Sequence, residues 1–178
     1  MFILKIIDIG FFFEVGDQKA AKNIRFLKRY GITHVLNAAE GPWEEHCVNL
    51  SEDHYVGSGI TYLVTNFVFA CTYVVCHKTK AKSNYQILQG LPLWDSTDVK
   101  IQQYLGCAAE FIKSAMDTGQ KILVNCQMGV SRSCSAAMAY LMIYEGMSAL
   151  DILKTFRRRR DVRYTISILT IILRIFLP

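Results

Sequence analysis

Residues 121–146 read KILVNCQMGVSRSCSAAMAYLMIYEG, and this stretch indicates how the chain folds. Its first five residues form a short apolar run of the kind that becomes a buried strand. A turn containing Gly129 follows, and the pattern then predicts an apolar helix over 133–145 that ends at Gly146. A strand, a turn and a helix in this order are typical of an α/β sheet.

The rest of the chain continues this alternation of strands and helices. The patterns predict strands at 32–37 and 60–64. They also predict a helix that Asp17 caps and that runs to Tyr30, and a second helix at 98–116. A third helix begins with a capping-box-like Ser148 to Asp151 and continues through the arginines at 157–160. Together they predict an α/β fold with a central, mostly parallel sheet flanked by helices on both faces.

The turn after the strand at 121–125 has the chemistry of an anion site. The first amides of a helix have no intrahelical partner, and the helix dipole places partial positive charge at the same point. Gly129 lets the turn curl closely, and the guanidinium of Arg132 can bind two phosphate oxygens at once. Cys126 lies at the strand end, where this positive environment favours the thiolate, the nucleophilic form of cysteine.

This segment resembles the phosphate-binding loop of the cysteine-based protein tyrosine phosphatases, His-Cys-x5-Arg-Ser/Thr. Three further stretches, SRSCSAAMAYLMIYEGMSALDILKTFRRRRD, GDQKAAKNIRFLKRYGITHVLNAAEG and GITYL, are similar to the small atypical dual-specificity phosphatases. The similarity covers roughly 16–63 and 90–163. We therefore expect a phosphatase-like catalytic domain over 16–163, with the dual-specificity phosphatase fold.

The resemblance implies a role for each residue of the loop and for one upstream acid. Cys126 would attack phosphorus and form a phosphocysteine, Ser133 would help the thiolate leave, and Asp95 would protonate the leaving oxygen. Asp98 is the rival acid, although its place suits the first turn of a helix. The substrate phosphate would contact the residues of the loop: Gln127, Met128, Gly129, Val130, Ser131 and Arg132. The mechanism needs no metal and no cofactor.

Two features depart from the family pattern near the site. Asn125 stands where the family has His, so we expect slower turnover. The connection from the strand at 60–64 to Asp95 is longer than in the family, which marks 64–88 as a doubtful insertion. These departures keep a second hypothesis open, a weakly active or inactive phosphatase-like module that binds phosphoproteins. A phosphoinositide or an RNA 5′ phosphate is an alternative substrate.

Composition restricts the remaining classes of function. Hydrophobic residues make up 52% of the 178 residues, which excludes a disordered chain, and the excess lies in three patches at 1–15, 64–76 and 164–178. The two terminal patches lie outside the predicted domain. None is long enough and free enough of charge to predict a spanning helix, and membrane contact by the C-terminal tail is the weaker alternative to a buried tail.

Charge and cysteine usage predict the partners and the compartment. The net charge of +5 comes almost entirely from the arginines at 157–160, and no aromatic residues interleave with them, so we do not expect nucleic acid as a partner. Six cysteines without a visible signal peptide favour a reduced, cytoplasmic protein, with the nucleus as the alternative compartment. The expected partner is a phosphorylated protein substrate.

Overall fold

A computed structural model describes residues 3–5, 13–39, 48–50, 52–64 and 102–159. The described strands are β1 (Ile3–Lys5), β2 (Phe13–Gly16), β3 (His34–Asn37), β4 (Thr61–Val64) and β5 (Ile122–Asn125). The described helices are α1 (Gln18–Lys22), α2 (Ile24–Arg29), α3 (Gln102–Asp117), α4 (Arg132–Ile143) and α5 (Ala149–Arg159), and a short 3-10 turn covers Glu52–Tyr55.

The five strands form one sheet in the order β1-β2-β5-β3-β4. β2, β5, β3 and β4 run parallel, whereas β1 pairs antiparallel with β2 at the edge. The predicted mostly parallel α/β sheet is therefore confirmed. β5 is last in sequence among these strands yet lies in the middle, so its carboxyl end meets those of β2 and β3.

Apolar residues alternate along the strands between two cores, because successive side chains of a strand point to opposite faces. Ile122 and Val124 of β5 pack on one side with α3, α4 and α5, and Leu123 packs on the other side with α1 and α2. Each of these three side chains is fully buried, which stabilises the fold by about 1.5–3 kcal/mol apiece. The prediction of helices on both faces is confirmed.

The N-terminal helix differs from the prediction of a single helix up to Tyr30. Asp17 does cap α1, accepting a hydrogen bond of 2.8 Å from the Ala20 amide. However, the helix stops after Lys22, and the Asn23 side chain caps a new helix by accepting a 2.9 Å bond from the Phe26 amide. The prediction is wrong here because asparagine competes for backbone amides and favours a cap over a helix interior.

Part of the first apolar patch lies inside the sheet. β2 pairs with β5, and its Phe13 and Val15 side chains are fully buried. Glu14, between them, is fully buried too and forms a 2.9 Å ion pair with Lys121. Apart from this ion pair, neither Glu14 carboxylate oxygen has a hydrogen-bond partner in the described part of the chain.

Several sequence predictions lie outside the described residues. These are the candidate insertion beyond Val64, the candidate acids Asp95 and Asp98, and the C-terminal patch at 164–178. The boundaries of the predicted domain stay a prediction. None of the helices in the described ranges combines the length and the apolar character needed to cross a membrane.

Candidate active site

Cys126 directly follows β5 and is held between the two neighbouring strands. Its amide donates to the Gly16 carbonyl of β2 at 3.3 Å, while the Asn125 carbonyl accepts from the Ala38 amide, just beyond β3, at 2.7 Å. The Cys126 side chain is only 2% exposed. The candidate nucleophile therefore projects from a backbone that is restrained on both sides, at the floor of the site.

Two groups that can donate hydrogen bonds face the sulfur of Cys126. The Gly129 amide donates to Sγ at 3.1 Å, and the Ser133 hydroxyl oxygen lies 3.2 Å from Sγ. A thiolate accepts such bonds strongly because hydrogen bonds to charged acceptors are the stronger kind. The arrangement places two potential donors at the sulfur, and it places Ser133 where a hydroxyl can assist a departing thiolate.

The loop packs directly on the turn between β2 and α1. Gly129 has φ +70°, and a Cβ atom there would lie 2.6 Å from both the carbonyl carbon and the oxygen of Gly16 and 3.0 Å from the Asp17 nitrogen. The Gln18 amide also donates to the Gln127 carbonyl at 3.2 Å. Only glycine satisfies both the positive φ and this close approach, because it has no Cβ.

The N-terminus of α4 completes the loop. Ser131 precedes the helix, and its side chain forms no capping hydrogen bond, so the first amides of α4 are not satisfied in that way. Arg132 is the first helical residue and is partly buried. The helix therefore places its first amides, the positive end of its dipole and the residue Arg132 at the end of the loop, an arrangement suited to binding phosphate.

The structure brings the predicted loop residues together, although their roles stay predictions. Gln127, Val130, Ser131 and Arg132 are partly buried, Gly129 and Ser133 are buried, and Met128 is 65% exposed at the rim. The predicted general acid, Asp95, lies outside the described residues.

Sequence reasoning missed two features that contact the site. One is the backbone of Gly16 to Gln18, which packs against Gly129 and bonds to Gln127. The sequence predicted only the helix cap at Asp17 in this region. The other is Asn37 at the end of β3, whose Oδ1 accepts from the side-chain Nδ2 of Asn125 at 3.2 Å. A polar residue at the carboxyl end of a buried strand was the available signal, since sites in α/β sheets lie at such ends.

Comparisons with known proteins show which family the sequence of this chain is similar to. The family model described as the catalytic domain of dual specificity phosphatases matches residues 58–169. Dual specificity protein phosphatase 26 of Homo sapiens is 33% identical over 149 residues, covering 83% of this chain and 56% of the relative. The Bos taurus protein of the same name is 32% identical over the same proportions. The chain thus spans little more than half the length of these relatives.

Solved structures share the fold. The crystal structure of DUSP15 superposes with a TM-score of 0.65 at 21% identity, covering 96% of this chain and 84% of that one. A human tyrosine phosphatase-like serine/threonine/tyrosine-interacting protein superposes with a TM-score of 0.67 at 19% identity, covering 97% and 93%. At these identities the likeness concerns the fold alone.

Proposed function

We propose a protein phosphatase activity for this chain because it belongs to the dual specificity phosphatase family. The substrates are phosphotyrosine and, in addition, phosphoserine and phosphothreonine in proteins. The observation that carries the proposal is the Cys126 sulfur, buried at the floor of an anion-binding loop and contacted by the Gly129 amide and the Ser133 hydroxyl.

The reaction proceeds in two displacement steps at phosphorus. In the first, the Cys126 thiolate forms a P–S bond while the bond to the leaving oxygen breaks, and Asp95 gives that oxygen its proton. The loop amides and Arg132 hold the non-bridging oxygens as charge redistributes. In the second, water attacks phosphorus and gives a proton to the Asp95 carboxylate, the P–S bond breaks, and Ser133 donates a hydrogen bond to the departing thiolate. Phosphate and free enzyme result.

The loop side chains favour a phosphoprotein over a polyanionic substrate. Gln127, Met128 and Val130 carry no charge, so Arg132 alone supplies a positive side chain within the loop. Met128, exposed at the rim, offers an apolar surface to the group that carries the phosphate. A nucleophilic thiol needs reducing surroundings, and we accordingly place the activity in the cytoplasm, with the nucleus as the alternative.

The decisive experiment measures hydrolysis of para-nitrophenyl phosphate in the presence of a metal chelator. Wild type should release nitrophenol, and Cys126→Ser should abolish the release because the nucleophile is gone. Cys107→Ser is the matched control, since Cys107 is a half-buried cysteine on α3 outside the loop. Undiminished hydrolysis by Cys126→Ser would reject the proposal.

The general acid is tested by changing the leaving group. Asp95→Ala should slow hydrolysis of phosphoserine peptides far more than that of para-nitrophenyl phosphate, because nitrophenolate leaves without a proton and a serine alkoxide does not. Equal loss on both substrates would remove Asp95 from the role of acid, and Asp98→Ala would then be compared in the same way.

A weakly active phosphoprotein-binding module is the second candidate, and Asn125 is the observation that favours it. It predicts that the unmutated protein binds a phosphotyrosine peptide tightly and releases no phosphate from it. Asn125→His restores the family residue at this position. If the asparagine limits turnover, the substitution should raise kcat. Steady phosphate release by the unmutated protein would reject this candidate.

A further inference from the structure

Two asparagines face each other across neighbouring strands next to the nucleophile. Asn37 is the last residue of β3, Asn125 is the last residue of β5, and the two are partners in the strand register. Both are completely buried. The Asn125 Nδ2 donates to the Asn37 Oδ1 at 3.2 Å, which links side chains 88 positions apart in sequence.

The orientation of the Asn37 amide is determined by its other contacts. Its Nδ2 donates to the Val48 carbonyl at 2.7 Å and to the Tyr62 hydroxyl at 3.0 Å, and its Oδ1 accepts from the Ala39 amide at 3.1 Å. A flipped amide would face the Val48 carbonyl with an oxygen and the Ala39 amide with an NH₂ group, so these two partners fix its orientation. Asn37 therefore presents an acceptor, and only an acceptor, to Asn125.

The fixed acceptor in turn determines how Asn125 is oriented. Its Nδ2 points to Asn37, and its Oδ1 is left buried with no hydrogen-bond partner in the described part of the chain. A buried acceptor without a donor is unfavourable, so within the described part of the chain the bond to Asn37 is what orients this side chain.

We propose that Asn37 is a positioning residue for the nucleophile, acting through Asn125. The inference rests on the proposed function and goes beyond it by assigning a residue remote in sequence. Asn125 and Cys126 share a peptide bond, so a change in the Asn125 backbone moves the Cys126 sulfur relative to Gly129 and Ser133. The hydrogen bond from Asn125 to Asn37 restrains such a change of the Asn125 backbone. Asn37 is itself held by its bonds to Val48 and Tyr62.

The same network joins both ends of the segment that follows β3. Asn37 bonds to Ala39 on one side and to Val48 on the other, and the Val48 amide donates to the Ala39 carbonyl at 2.7 Å. Tyr62 adds a hydrogen bond to the Leu50 carbonyl. The side-chain amide of Asn37 thus holds the chain at Ala39 and again at Val48.

If the Asn37–Asn125 bond only stabilised the sheet, a bond between the other ends of β3 and β5 should have the same effect. That other end therefore supplies a control. There the Thr33 hydroxyl donates to the Lys121 carbonyl at 3.2 Å, again bridging the β3 and β5 regions, but on the side away from the nucleophile. Thr33→Val removes this bond with little change of shape. It should lower the free energy of unfolding and leave kcat unchanged.

The experiment compares Asn37→Ala, Asn125→Ala and the double variant on para-nitrophenyl phosphate. Each single variant should lower kcat about tenfold or more with little change in KM, since small displacements of reacting groups reduce rates steeply. The double variant should be no slower than the slower single variant, because both remove the same link. Stability, measured by urea denaturation, corrects each rate for the folded fraction.

A second readout does not depend on phosphatase activity. The rate of Cys126 alkylation by iodoacetamide, followed by mass spectrometry across pH 5–9 (a range chosen to cover thiol titration), should change in both single variants and stay at the wild-type value in Thr33→Val. If wild type hydrolyses no phosphate, the proposed function fails, and alkylation still tests the positioning role.

Three results would overturn the inference while leaving the phosphatase activity in place. These are a kcat loss no larger than the loss of folded protein, multiplicative losses in the double variant, and alkylation profiles that match wild type. If Asn37→Ala does not fold, Asn125→Ala decides alone, because it breaks the same bond and leaves the Asn37 contacts to Val48, Tyr62 and Ala39 intact.

Discussion

Replacing Gly129 by alanine tests how the phosphate loop is supported. Gly129 has φ +70°, a conformation that costs a residue with a Cβ about 1–2 kcal/mol. The added Cβ would also lie 2.6 Å from two backbone atoms of Gly16, which belong to a core strand and cannot move aside like a flexible side chain. The loop must therefore shift, and its amide must leave the Cys126 sulfur that it contacts at 3.1 Å.

The loss of kcat in Gly129→Ala can be estimated from known effects of displaced catalytic groups. Removing one preorganised donor from a reacting centre costs about 100- to 1,000-fold in kcat, and a displacement of about 1 Å costs about 100-fold. We expect Gly129→Ala to lower kcat for para-nitrophenyl phosphate by about 100-fold. Its free energy of unfolding, from urea denaturation, should fall by more than the 1–2 kcal/mol or so of the φ term alone.

Gly119→Ala is the matched control. Gly119 has nearly the same φ, +68°, in the turn before β5, and a Cβ there would meet nothing within 4 Å. This variant should lose about 1–2 kcal/mol of stability and keep the wild-type kcat. The reasoning is refuted if Gly129→Ala matches Gly119→Ala in both stability and kcat, because the close approach to Gly16 would then have no consequence.

Three further outcomes follow from described contacts. Ser133→Ala should produce a burst of nitrophenol followed by turnover slowed about 10- to 100-fold, since a hydrogen bond to the departing Cys126 thiolate is lost; rapid-mixing kinetics without a burst would contradict this. Lys121→Met should destabilise the fold by about 3 kcal/mol or more because Glu14 stays buried without its cation, whereas adding Glu14→Leu should restore most of the loss in urea denaturation. Burial lowers the pKa of His34 below its usual value of about 6.5, so its stabilising contribution is full above that pH and is lost as the pH falls through the folded pKa; the urea midpoint should drop between pH 7.5 and about pH 5, and less so in His34→Gln.

Local pattern was sufficient for β3, β4, β5 and the loop, whereas β1 and β2 were not predicted because the apolar patch at 1–15 was assigned outside the domain. The apolar run at 122–125 and the turn after it are contiguous in sequence, so strand, nucleophile and helix start could all be predicted from one stretch. The helix break at Asn23 was missed because a side-chain cap competes with an otherwise helical pattern.

The contacts that neighbouring strands make with the loop could not be predicted from local pattern. Gly16 and Asn37 meet Gly129 and Asn125 only because β5 inserts between β2 and β3, and strand order is a property of the whole fold that residue periodicity does not contain. Gly129 itself was expected to aid a close turn, but the backbone it approaches was not identifiable from sequence.

The central place of β5 has a consequence for how the chain is made. β2 and β3 emerge from the ribosome early, but neither pairs with the other, and both expose an unpaired edge until the residues of β5 follow about 85 positions after β3. Exposed edges recruit other strands, so nascent or truncated chains that end before β5 should aggregate. β5, which precedes the nucleophile, is thus also the strand that must be synthesised before the edges of β2 and β3 are covered and the chain is protected from aggregation.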